Sequence, residues 1–596
     1  TYSINVPHNF TSKNTVDNYY GLRELSDSTS SITITIDGPK ENVKIINDGF
    51  IPKHVYINNN PENFGGNNTI DLTQEGPNTI TMVWDTQIKK ALNMFSGCSS
   101  IISIDFSNFD ASGISTMKEM FLSFTSLEYV NLTNFVTKGC KNMESMFNGC
   151  SSLKTLDLSS FNTTQVTNMD MMFSGCSSLT SLDLSNFKTP ALKNMVKMVS
   201  DCISLTSLEM PNFDTKSVKT MNGVFTNCSK LIYLNLSSFD TSMVSIMSAM
   251  FKDCSSLQQI YIPNIDTSSV NNMNNMFCGC NSLLNIDFIN KFDTSLVTSM
   301  NSMFKDCSSL QSLDLSSFNT DTLGNMEYMF FGCSSLKSLN LSNFYTYSLK
   351  TMNHLFNGCQ SLISLDISHF NTTLVKSMNY LFHDCLKIQS INLESFNTTS
   401  VTSMTGMFYS CSSLESLDLS NFQTSLVKTM NDMFLNCVKL GFINLTNFDM
   451  TSITNMKNMF LNCSSLKSID LTNSIGLNLE LIFSNLSSIN IINRTNNLDE
   501  NIDQISTDTK NSIGNIEQIP NEIKNSTENI VKTIINTTMV NSETQTEKIY
   551  IEQIVKKKYS TQLIDKYSEN IQVIKFTNLK TNSEIKDIND LYYTQL

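Results

Sequence analysis

The chain is short of the residues on which most functional chemistry depends. Of its 596 residues only 5 are His, 1 is Trp and 20 are Gly, and charged residues make up 16%, against roughly 25% in an ordinary globular protein. Five histidines leave little material for convergent metal ligands. No run of 18 or more apolar residues occurs, so no transmembrane helix lies within this chain. The formal net charge of −14 offers no electrostatic footprint for nucleic acid, and no local basic patch favours an anionic membrane. Outside repeated positions there is no nucleophile–base pair, zinc motif, phosphate loop or paired-carboxylate signature. What the chain does have is 32 Met, 37 Phe and 16 Cys. An apolar fraction of 40% is enough for a core and excludes a wholly disordered chain. The length is too great for one compact core.

A repeat accounts for this composition. Phe recurs at 95, 121, 147, 173 and onward to 460, in 15 units, with Val199 filling one position. Every step is 26 residues except that from Phe277 to Phe304, which is 27. Within one unit, Leu153, Leu156, Leu158 and Phe161 contain an alternating stretch that predicts a short strand. Val166, Met169, Met172 and Phe173 follow at three- to four-residue steps, which predicts one face of a short helix. Thr163 and Thr164 stand where an N-cap oxygen is useful. The residue before the Cys position is always Gly, Asn, Asp or Ser, as at Gly149, Gly175, Asn227 and Asp253, which suits a left-handed helix end or tight turn.

Such a unit cannot bury its apolar side alone, but stacked copies can. The expected fold class is therefore an α/β solenoid: a leucine-rich-repeat array of 15 strand–helix units, on the order of 70 Å long at one strand spacing per unit. The run Met172-Phe173-Ser-Gly-Cys176-Ser-Ser-Leu179-Thr-Ser-Leu182-Asp-Leu184-Ser-Asn-Phe187 resembles the BspA-like leucine-rich repeat. The resemblance covers 84–474 and is specific for the fold. It implies a surface, adhesion or host-interaction protein, and brings no catalytic residues with it.

The repeated columns read as core before they read as chemistry. Fourteen of 16 Cys share one position, from Cys98 to Cys463, where Phe124 fills the remaining unit. Equally spaced thiols that point the same way do not pair, so they are expected to be reduced and buried, with S–H groups helping to satisfy turn carbonyls. Cys278 lies off this column and is expected to be exposed. Of 32 Met, 26 occupy two columns. A flexible core filler is expected there, with a copper(I) site as the alternative.

Between the strand leucines runs a polar row that includes Asp157, Asp183, Asp287 and Asp314. It reads as a solvated, hydrogen-bonded row, or alternatively as a site for weak cation or polyhydroxylated-ligand binding. Tyr233, Gln259 and Tyr261 break the monotony of that face in adjacent units and are candidate recognition anchors, with repeat drift as the alternative. Pro211, Pro263 and Ile289 are further departures, and Tyr129 and Phe442 are isolated ones.

The expected organisation is a β cap domain over 1–83, the solenoid over 84–474, a degenerate capping repeat over 475–495, a linker or short helices over 496–545 and a small segment over 546–596, the tail being partly helical. Ser31–Asp37, His54–Asn58 and Thr79–Trp84 read as cap strands. An enzyme assembles unlike residues in one pocket, and this array breaks its repeats only mildly. The expected function is a non-enzymatic cell-surface or extracellular protein without a cofactor, which binds a protein or glycan through its strand face. The alternatives are a structural stalk or surface-layer element, and an intracellular interaction scaffold.

Overall fold

The computed structural model describes residues 30–62, 68–476 and 490–492. The chain opens with four strands: β1 (Ser30–Lys44), β2 (His54–Ile57), β3 (Asn60–Glu62) and β4 (Thr69–Trp84). The cap strands expected at Ser31–Asp37 and Thr79–Trp84 lie within β1 and β4, and the one expected at His54–Asn58 runs one residue past the end of β2. Alternation puts Ile32, Ile34 and Ile36 inward on β1, opposite β4, with register Ile32↔Met82 and Ile34↔Ile80. The other edge of β1 pairs antiparallel with the first repeat strand, β5 (Ile101–Asp105), which pairs parallel with β6 (Tyr129–Asn131). The cap therefore covers the open end of the array by sheet continuation. Trp84 sits at the joint, its Nε1 donating to Phe50 O at 3.0 Å and its ring edge-on to Phe109.

The units stack as turns of a parallel β-solenoid. Their strands are three residues long: β7 (Ser181–Asp183), β8 (Ser207–Glu209), β9 (Tyr233–Asn235), β10 (Gln259–Tyr261), β11 (Ser312–Asp314), β12 (Ser338–Asn340), β13 (Ser416–Asp418), β14 (Phe442–Asn444) and β15 (Ser468–Asp470). Each pairs in repeat register, as in Leu182↔Leu208 and Ile443↔Ile469. A final strand, β16 (Asn490–Ile492), pairs with β15. The rest of the degenerate repeat, apart from 475–476, and both segments of the C-terminal tail lie outside the described residues.

The expected helix of each unit is not formed among the described residues, and the backbone shows why. Ser145 and Gly149 have φ of 54° and 78°, in the left-handed region that an α-helix cannot contain. Alternate N–H groups leave the unit altogether: those of Met143, Ser145, Phe147 and Gly149 donate to the carbonyls of Asn168, Asp170, Met172 and Ser174 in the next turn, at 2.7–2.9 Å. The intervening N–H groups close tight turns, Met146 to Met143 O, Asn148 to Ser145 O and Cys150 to Phe147 O. The segment is a run of β-turns hydrogen-bonded laterally. Consecutive turns of this kind repeat every four residues, so Met143, Met146, Phe147 and Cys150 all point inward at the spacing of a helix face. The left-handed residue before each core Cys is as expected: Gly97, Asp201, Asn227 and Asn462 all have positive φ. The left-handed residue two before the Phe was not anticipated. It is occupied even by Lys197, Tyr328 and His354, at a cost of about 1–2 kcal/mol each.

Inside, every column stacks on itself. Phe rings of successive turns lie parallel, as in Phe147–Phe173 (5.9 Å, 5°) and Phe330–Phe356 (5.7 Å, 2°). A second stack runs down the corner after the strand, as in Phe161–Phe187 (6.3 Å, 7°). The 27-residue step is taken up by a 3₁₀ turn, Ile289–Lys291, and Phe292 still joins the corner stack against Phe318.

All 16 cysteines are buried and unpaired. From Cys150 to Cys463 the S–H groups of the repeated column donate to the carbonyl of the Phe position one turn before, as in Cys254 to Phe225 O (3.0 Å) and Cys333 to Phe304 O (3.1 Å). Burial pushes the thiols of Cys202, Cys254 and Cys333 up to about 12. Cys278, expected on the surface, is also buried. Lys252 and Lys305 hold the same column in the neighbouring turns.

Of the two threonines expected as N-caps, Thr164 bonds Asn162 Oδ1 in a turn, and Thr163 belongs to a buried ladder. Thr241 Oγ1 donates to Asp266 O (2.7 Å) and accepts from Asp266 N (2.8 Å) one turn on, and Thr372 treats Asn397 in the same way. Thr241→Val keeps the shape and leaves the backbone of Asp266 without these partners. It is expected to lower stability by about 1–3 kcal/mol, read as a lower denaturant midpoint. Thr320→Val is the control, because the Thr320 hydroxyl is buried without a partner. It is expected to be neutral or mildly stabilising, and equal effects of the two substitutions contradict the ladder.

Candidate recognition surface

The strand side of the solenoid places the polar row outward and the leucines inward, with the exposed–buried–exposed alternation of β7 repeated in β8 to β13. Most aspartates of the row first serve their own turn. Asp157 Oδ1 accepts the N–H of Ser159 (2.9 Å), Asp183 that of Ser185 (2.8 Å) and Asp314 that of Ser316 (3.0 Å). Asn235, Asn340 and Asn444 do the same with Ser237, Ser342 and Thr446. This is an Asx-turn, and it explains why Asp and Asn alternate freely in the row. The backbone N–H of Ser159, then its hydroxyl, hold Asp157 below its ordinary value, and Ser316 does so for Asp314. Asp287 is exposed just before the 3₁₀ turn. Among the described residues no three His, Cys, Asp or Glu side chains converge as a metal site.

The candidate residues share one face but not one place along it. Asp157 and Asp183 line a shallow depression of about 260 Å³ together with Tyr129 and Asn131. Tyr233 and Gln259 are direct neighbours across β9 and β10, and Tyr261 lies opposite Asn235. Asp287 and Asp314 follow in the next two turns. Lys291 Nζ donates to Pro263 O (2.8 Å), which fixes the corner beside Tyr261.

Two residues of this surface escaped the sequence reading. Ile232 and Leu284 are 51% and 55% exposed, and with Tyr233 (47%) and Tyr261 (48%) they occupy three consecutive turns. The Gln258 N–H donates to Ile232 O at 2.9 Å, so the flanking column is in register with the strands. That column elsewhere holds residues such as Glu128, Lys154, Gln311 and Lys337, and apolar replacement there is the signal that could have found them. The result is an exposed apolar and aromatic cluster on a face where Ser, Asp and Asn predominate and Tyr129 and Ile363 are isolated exceptions.

A different aromatic group lies on the Met–Phe side. His354 stacks between Tyr328 (4.6 Å) and Tyr380 (4.8 Å), and His383 stacks on Tyr409 (4.4 Å). Burial holds both imidazoles below their ordinary value. These rings are packed face to face on one another.

If the acids of the strand face are turn-formers, Asp314→Asn is expected to leave the thermal midpoint nearly unchanged at neutral pH, because Asn340 performs the same bond one turn on. Asp314→Ala removes the acceptor and is expected to cost about 1 kcal/mol. The pH sign follows from the lowered carboxyl. Its contribution is present above the ordinary value of 3.8 and is lost as pH falls through the native value, and Asp314→Asn is expected to reduce that loss. Thermal melts of the three proteins at neutral and acid pH check this.

Comparison with known proteins follows the same outline. The family model described as Mycoplasma protein of unknown function, DUF285, matches residues 86–208, 193–288, 259–364 and 350–474, which together span the array. No curated protein matches the chain. Among solved structures, a leucine rich cell surface protein of Faecalibacterium prausnitzii A2-165 is 16% identical over 66% of this chain and 85% of that one, with a TM-score of 0.28. A TLR13–ssRNA13 complex overlaps over 64% of this chain and 83% of that one, at 14% identity and a TM-score of 0.15. A LRIM1/APL1C complex overlaps over 85% and 81%, at 12% identity and a TM-score of 0.16. Overlaps at these scores carry no argument about function.

Proposed function

The chain belongs to the family described as Mycoplasma protein of unknown function, DUF285, and from that premise we propose that it is a non-enzymatic interaction protein of the cell surface or extracellular space, of the BspA-like leucine-rich-repeat kind. It binds a protein or glycan partner through the strand face. The observation that carries this reading is the cluster of Ile232, Tyr233, Tyr261 and Leu284, four large side chains about half exposed on a short stretch of rigid face. Aromatic side chains held by a rigid scaffold and ringed by polar groups are the usual anchors of binding. Neighbouring Gln259 and Asn235 supply amide donors and acceptors at the same register.

A non-enzymatic role is further supported by the state of the nucleophiles. The column thiols are buried, and burial raises them far from thiolate chemistry. Asp157 and Asp314 on the strand face are committed to turn formation and held low by N–H donors, which is poor tuning for general acid work near neutral pH.

The test compares wild type with Tyr233→Ala/Tyr261→Ala across a panel of extracellular proteins and glycans. For the partner that binds, the double variant is expected to bind at least about tenfold more weakly with an unchanged thermal midpoint. Equal binding removes the strand-face cluster as the site.

A further inference from the structure

A second group of rings stands at the corner after strand β12, in columns that elsewhere hold the solenoid together. In most turns the residue after the corner Phe is Asp or Asn. Its side chain accepts the N–H two residues on, as in Ser295 to Asp293 (2.9 Å) and Thr373 to Asn371 (3.0 Å). Its own backbone is bound by the buried threonine of the turn before, as Thr346 binds Asn371. Tyr345 takes this position and both devices fail. The Tyr347 N–H turns to Tyr345 O, and the Tyr345 N–H turns to Asn343 O. The Thr320 hydroxyl, which the pattern would pair with Tyr345, is 1% exposed and unpartnered. One turn on, His369 occupies the column from which Asn186 and Asn421 bond the carbonyls of the preceding turn.

In place of those bonds the corner displays three rings. Tyr345 and Tyr347 lie parallel (6.2 Å, 7°), and His369 meets Tyr345 edge-on at 5.6 Å. The tyrosines are 39% and 56% exposed. Unlike the rings around His354, they are not closed off by aromatic neighbours in the turns on both sides. The turns on either side of this one keep the ladder, through Thr294 to Asn319 and Thr346 to Asn371, and a break in it where two tyrosines are exposed has the mark of a site that trades local stability for binding.

The surroundings define the ligand. The turns before and after present Asn319 and Asn371, whose Oδ1 atoms are committed to the N–H groups of Asp321 and Thr373 (both 3.0 Å), which leaves their Nδ2 groups as donors. Asp321 adds a carboxylate acceptor and disfavours an anionic ligand. A ring face carries negative quadrupole charge and attracts weakly positive C–H groups. Amide donors and a carboxylate around such a face match alternating hydroxyls. We propose that the Tyr345–Tyr347–His369 corner is a binding site for a neutral oligosaccharide of hexopyranose units, with the sugar's C–H face on the tyrosines and its hydroxyls on the Asn319 and Asn371 amides. The site lies in other columns and other turns than the Tyr233–Tyr261 cluster and does not depend on it.

The test uses the full chain and the variant Tyr345→Asn/Tyr347→Thr, which restores the residue types of the neighbouring turn. Maltohexaose, cellohexaose, mannohexaose and chitohexaose are titrated by calorimetry, with a proline-rich peptide as the competing aromatic-binding ligand. At least one hexasaccharide is expected to bind wild type at millimolar concentration or below and to bind the variant at least about tenfold more weakly. The variant's thermal midpoint is expected to be equal or higher, because Thr320 regains a ladder partner, so loss of binding cannot be ascribed to unfolding. Tyr233→Ala/Tyr261→Ala is expected to bind the sugar as wild type does. The proposal is overturned if no hexasaccharide binds, if the corner variant binds equally, if only the strand-face variant loses the sugar, or if the peptide alone binds at the tyrosines.

Discussion

The structure depends on the hydrogen bonds that leave one turn and end in the next on the Met–Phe side. Alternate N–H groups there, from Met143 to Gly149 in one turn and from Met169 to Gly175 in the next, have carbonyl partners only if another turn lies alongside in register. A buried N–H without a partner costs about 1–3 kcal/mol, so a single unit is unstable and a stack is cooperative. The strands alone do not supply this. Apart from β5 they are three residues long, whereas on the Met–Phe side every second N–H over a seven-residue stretch crosses to the next turn, as from Met143 to Gly149.

That constraint explains the composition. Identical turns in register put identical side chains on top of one another, and each column then selects a residue that stacks well on itself. Phe stacks as parallel rings and Met fills what remains. Cys fits where a small apolar group must also reach a carbonyl of the turn before. Thr fits where one hydroxyl must serve both backbone groups of a residue in the next turn. The Met, Phe and Cys excess is thus a record of packing.

The period, the inward columns, the unpaired thiols and their bonds to turn carbonyls were all legible in the sequence, because burial and repetition leave a pattern that needs no coordinates. The helix was misread because successive β-turns and a helix both place side chains inward at three- and four-residue steps. What separates them is the sign of φ at Ser145 and its equivalents, and residues such as Lys197 and Tyr328 give no hint of it. Cys278 was misread because its burial is set by how adjacent turns stack, a relation visible only once the turns are in place. On the surface, Tyr233 and Tyr261 were legible as departures from a polar column. Ile232 and Leu284 left a weaker signal, an apolar replacement in a column that varies throughout. Tyr345 and Tyr347 carry a signal of another kind, a missing ladder bond, which sequence alone does not display.

The central claim is that the Met–Phe segments are laterally bonded turns and not helices. Far-UV circular dichroism of the intact protein tests it most directly, since every unit contributes one such segment. The account predicts a spectrum without the paired minima of α-helix, lost cooperatively on denaturation. A strongly helical spectrum, of the strength that one short helix in each unit would produce, would contradict it.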